Sequence, residues 1–103
     1  MVGTMAMLSL QEAEKAVPVR LHENSAIHAL LTAAAARYPD AAPPPPSDEL
    51  TISGLDRVNA ALRRQLIALH TAVEAAGDTA LHHDILRLYR EMARGRRLGL
   101  GGA

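Results

Sequence analysis

His70 and Glu74 stand four residues apart, the spacing that stacks an imidazole and a carboxylate one turn apart on the same face of a helix. If the chain doubles back at Gly77, His82 or His83 returns to their level. Two nitrogens and a carboxylate would then converge, a set that zinc, iron or manganese accepts. His83 projects to the far side of its own helix, so the candidate metal ligands reduce to His70, Glu74 and His82. Neither of the familiar helical metal signatures is present, Glu-x-x-His from two helices or His-Glu-x-x-His within one. Solvated or capping histidines are therefore the weightier reading of the same residues.

The second set of residues with chemical potential is a row of arginines. His83, Arg87, Arg90, Arg94 and Arg97 recur at spacings of three and four, and Arg96 extends the row. Guanidinium forks suit phosphate or carboxylate, so this face could meet RNA, DNA, an anionic surface or an acidic partner. Tyr89 is the only ring nearby, which argues against stacking of single-stranded bases. No helix-turn-helix pair is evident, and a solvated face is the usual meaning of such a charge row. A third row, Asp56, Asn59, Arg63, His70 and Glu74, borders an apolar stripe and reads as its hydrated margin, a pocket lining being the alternative. No nucleophile-and-base pair accompanies it, and no glycine-rich phosphate loop follows a strand. The sequence carries no catalytic signature and implies no cofactor.

The element that must position these groups is a helical hairpin over residues 51–97. Ser53 with Asp56 three residues on forms a capping pattern, so a first helix should begin near Gly54. Leu55, Val58, Leu62, Leu66, Leu69, Val73 and Ala76 then recur at threes and fours as one core-facing stripe. Gly77 supplies a left-handed stop, and Asp78 or Thr79 caps the next helix, so the turn is short and the helices antiparallel. The second helix repeats the stripe with Leu81, Ile85, Leu88 and Met92, Tyr89 at the margin, and Gly95 as its expected end.

Ahead of the hairpin, residues 9–38 form an N-terminal helical segment. Ser9 and Glu12 open a short helix to about Ala16, and Pro18 ends it or begins the next. From Asn24 or Ser25 a better helix runs to Tyr38, its apolar face carrying Ile27, Leu30, Leu31, Ala34 and Tyr38, with small residues at 33–36 that permit close approach. Residues 39–50, including four consecutive prolines from Pro43 to Pro46, make a semi-rigid spacer of polyproline character. Residues 98–103 read as a flexible tail.

The 103 residues suit a single all-α domain, a small bundle built on the hairpin with one or two N-terminal helices joined by the spacer. There is no Phe, Trp or Cys, so the core must be aliphatic and no disulfide or thiolate site is available. The run from Met1 to Leu10 is too short to span a bilayer. A cytoplasmic location is expected. Formal net charge is zero, yet acids predominate before Thr51 and arginines after it, a polarity suited to pairing the halves within or between chains. The leading expectation is a non-catalytic helical interaction module, an adaptor, accessory subunit or regulator that associates with itself or within a larger complex. A nucleic-acid or polyanion binder using Arg87, Arg90, Arg94, Arg96 and Arg97 is second, and a small metal-dependent enzyme third.

Overall fold

A computed structural model describes residues 2–45 and 51–99, with side chains at 17–45 and 51–96. Three α-helices make up the bundle: α1 Val2–Ala34, α2 Ile52–Ala76 and α3 Thr79–Gly99. The expected break at Pro18 does not occur; α1 is continuous through it. Proline removes one rung of the helical ladder, but that local cost is overridden because the turns after it are held by tertiary contacts. Asn24, expected as a cap, lies inside the helix, where its buried side chain donates to the Leu55 carbonyl at 3.3 Å.

Cross-helix partners give the topology. Arg20, midway along α1, pairs with Asp56 near the start of α2, and beyond the C-terminal end of α1 the Tyr38 hydroxyl donates to Asp78 at 3.1 Å, so α1 and α2 run in the same direction. His70 faces His82, and Glu23 meets Arg96, so α3 runs against both. Two parallel neighbours need a connection that travels back along the bundle. The proline-rich stretch does this. A single 3-10 turn, Pro39–Ala41, buries Ala41, and the Gln65 amide donates to the Ala42 carbonyl at 2.7 Å, laying the strap on α2. Ala42 has polyproline-like torsions, φ −61 and ψ 152.

The core is the aliphatic one the stripes imply. Ile27 and Leu31 of α1, Leu62, Leu66, Leu69 and Val73 of α2, and Leu81, Ile85, Leu88 and Met92 of α3 are all buried together. Val58 packs against their edge, half-buried, while Ala76 is exposed. Two antiparallel helices cannot enclose a core alone, and α1 supplies the third wall from the same chain. Its contact with α2 is the more extensive of its two helix contacts.

Both turn chemistries are visible, one of them displaced. The cap of α2 is Thr51 rather than Ser53: its hydroxyl accepts the Gly54 N–H at 3.1 Å, while Asp56 is drawn off to Arg20. Thr51→Ala should cost about 1 kcal/mol, read as a lower urea midpoint with unchanged slope. Gly77 is left-handed at φ 68, and Asp78 caps α3 by accepting the Leu81 N–H at 3.2 Å. That hydrogen bond outweighs the opposing effect of burial and, helped by Tyr38 and Arg37, holds the Asp78 carboxyl below its ordinary pKa. Gly95 does not end α3, which continues to Gly99. The turn beyond Gly95 is anchored where Arg96 binds Glu23. Of the expected flexible tail, residues 100–103 lie outside the described residues, as do 46–50 of the spacer.

Candidate functional site

The hairpin turn brings together the three residues whose spacing first suggested chemistry. His70 Nε2 lies 2.9 Å from Glu74 Oε1 and 3.4 Å from His82 Nε2, and one ligand atom from each residue falls within 4.8 Å of the others. The geometry follows from elementary helix rules: His70 and Glu74 share a face of α2, and the two-residue turn returns His82 opposite them. The His70 ring also meets Tyr89, with centroids 5.8 Å apart, which backs the imidazole on its inner side. His70 and His82 are half-buried and Glu74 is exposed, so the group opens to solvent on one side. His83, projected away from this group, is exposed.

The arginine row divides. Arg87, Arg90 and Arg94 are exposed along α3, Arg87 lying 3.8 Å from Asp84. Arg96 does not extend them outward: it turns in to Glu23 with two contacts of 2.9 Å. The Arg97 side chain lies outside the described residues.

Glu23 is the centre of a polar cluster that the spacing rules did not foresee. Its carboxylate is 4% exposed and accepts from Arg96, from Arg63 at 3.3 and 3.4 Å, and from the Asn59 amide. Asn59 also donates to Asn24 Oδ1 at 2.9 Å and accepts from Arg63 Nε at 3.0 Å. Burial pushes the Glu23 pKa up, but the Arg96 and Asn59 hydrogen bonds and the charges of Arg63 and Arg96 more than reverse this, and the carboxyl is held below its ordinary value. The row Asp56, Asn59, Arg63, His70 and Glu74 is thus no uniform hydrated margin. Asn59 is buried and Arg63 half-buried in this cluster, while His70 and Glu74 belong to the other end of α2. The one signal in the sequence was Glu23 beside Asn24, two polar residues at the level of an apolar face that resumes at Ile27.

Between α1 and α3 lies an open cavity of about 220 Å³, lined chiefly by Pro18, Val19, Ala26, Leu88, Met92 and Gly95. His22, Glu23 and Glu91 complete its lining. It occupies the end of the bundle opposite the His70 group. Leu21, at the same end of α1, is 40% exposed. Among the described residues, no helix is long and apolar enough to cross a membrane. Comparisons with protein families, with characterised proteins and with solved structures each give no match for this chain.

Proposed function

We propose that the chain is a non-catalytic helical interaction module whose partner is a second copy of itself. The observation that supports this is the apolar cleft between α1 and α3, a groove that side chains of a docked helix could enter on a bundle of only three. The chain carries a suitable occupant. The first half of α1 continues beyond the level where α2 begins, and the stretch from Val2 to Val17 is about 24 Å of helix. Its sequence holds Val2, Met5, Met7, Leu8 and Leu10 before the first acid at Glu12. A chain this small gains much from the added burial. A cytoplasmic home belongs to the same reading, since a cysteine-free chain suits a reducing compartment.

Gly95 provides the test. A Cβ built there meets nothing within 4 Å, and the residue sits in regular helix on the cleft wall. Gly95→Gln should therefore fill the cleft while raising intrinsic helix propensity by about 0.5–1 kcal/mol. Size exclusion with light scattering at micromolar concentration is expected to give two chains for the wild type, with a melting temperature that rises with concentration. The variant should be one chain, with concentration-independent melting. A wild type of one chain at every concentration, or a variant that pairs as well as the wild type, overturns the proposal.

Polyanion binding is the second reading, supported by the exposure of Arg87, Arg90 and Arg94 on one side of α3. With Arg96 held by Glu23, it would rest on a shorter row than the spacing suggested.

A further inference from the structure

We propose that His70, Glu74 and His82 form a binding site for a divalent transition ion of the zinc, cobalt and nickel group. The strongest argument is the separation of the two imidazole nitrogens. Zinc–nitrogen bonds of 2.0–2.1 Å at tetrahedral angles put two coordinating nitrogens about 3.3 Å apart. His70 Nε2 and His82 Nε2 are 3.4 Å apart, although they come from different helices. Glu74 Oε1, 2.9 Å from His70 Nε2, supplies an anionic third donor on the solvent side, where an exposed side chain is free to turn and close the group, whose ligand atoms now span up to 4.8 Å.

A second observation points the same way. An open cavity of about 230 Å³, lined by Val73, Glu74, Gly77, Asp78, Thr79 and His82, adjoins the group and holds two of its three donors. It gives an ion a route in and leaves space for water as the fourth ligand. Asp78, the nearest further carboxylate along that wall, is already committed: it caps Leu81, accepts from the Tyr38 hydroxyl and pairs with Arg37 at 2.8 Å. The protein thus offers three donors, two nitrogen and one oxygen. This set favours a borderline ion over magnesium or calcium, which prefer all-oxygen shells. Because the donors come from both sides of the Gly77 turn, a bound ion clamps α2 to α3 at that end. The site is independent of the α1–α3 cleft, which lies at the other end of the bundle.

The test is a cobalt(II) and zinc titration of the full chain. Cobalt is expected to give the visible absorption of a four-coordinate ion, displaced by zinc. Zinc at a hundredfold excess over its Kd should raise the melting temperature by about 10 °C or more, and magnesium at the same level should not. His70→Ala, His82→Ala and Glu74→Gln should each weaken cobalt binding by about tenfold or more. Glu74→Gln alters only an exposed side chain and guards against a folding defect. His83→Ala and His28→Ala should bind as the wild type does. Absence of the cobalt band and of the zinc-specific melting shift overturns the proposal, and so does wild-type affinity in the His70 and His82 variants, which would place the ion elsewhere.

Discussion

Leu66→Asp is expected to unfold the protein. Leu66 is fully buried at the middle of α2, packed into the aliphatic cluster that draws on all three helices. The substitution removes a side chain whose burial contributes about 1.5–3 kcal/mol. It also puts a carboxylate where the described core presents only Ile, Leu, Val, Ala and Met side chains, with no donor to satisfy it. Burying an unpaired ionisable group costs several kcal/mol more, and the total stability of a small domain is only about 5–15 kcal/mol. Far-ultraviolet circular dichroism at neutral pH should show lost helicity and no cooperative melt. Ile67→Asp, one residue on and 60% exposed, is the matched control and should melt close to the wild type. Retained helicity and an unchanged melt in Leu66→Asp would mean that this face of α2 is not the core.

The second large effect is expected at Arg96. Arg96 and Arg63 reach solvent, at 34% and 39% exposure, whereas the carboxylate they share is 4% exposed. The consequence is an asymmetry. Removing Glu23 leaves two guanidinium groups that water can serve, but removing Arg96 leaves a buried carboxylate with only Arg63 and Asn59. Arg96→Ala should therefore cost about 2–3 kcal/mol at neutral pH, and Glu23→Gln about 1–2 kcal/mol. Urea unfolding of both variants decides the order, and a harmless Arg96→Ala would show that the Arg96 contacts contribute nothing to stability.

The pH dependence follows from the sign of the Glu23 shift. Its folded pKa lies below the unfolded one, so the native state holds the proton less tightly. The resulting stabilisation is fully present above the unfolded value of about 4.3 and is lost as pH falls through the folded pKa. Wild-type stability should decline on acidification through this range. The decline should be shallower in Glu23→Gln, which has no carboxyl to titrate there. Equal slopes would assign the acid sensitivity to other carboxyl groups.

These two predictions draw on different kinds of information. The burial of Leu66 was legible in the sequence, because a stripe at spacings of three and four is a property of one helix and needs no knowledge of its neighbours. The Gly77 turn and the meeting of His70 with His82 were legible for a similar reason. Only twelve residues separate the two histidines, and left-handed glycine followed by a capping aspartate leaves the chain little choice of direction. The existence of an all-helical bundle follows from the same periodicity.

The tertiary structure decided what local rules could not reach. Pro18 signals a helix end wherever the surrounding turns have no other support, yet here α1 runs through it, with its later turns packed on α2. The parallel course of α1 depended on how a strap of prolines would lie, and Gln65 and Ala41 fix that by a hydrogen bond and a buried methyl that no spacing rule anticipates. Glu23 and Arg96 are 73 positions apart, and a carboxylate in an acidic front half and an arginine at the edge of a basic row each look like solvated charges until the helices are in register. Local sequence determines which face of a helix is apolar. Which polar groups end up beneath that face depends on the register between helices, and this is set by packing over the whole length of the chain.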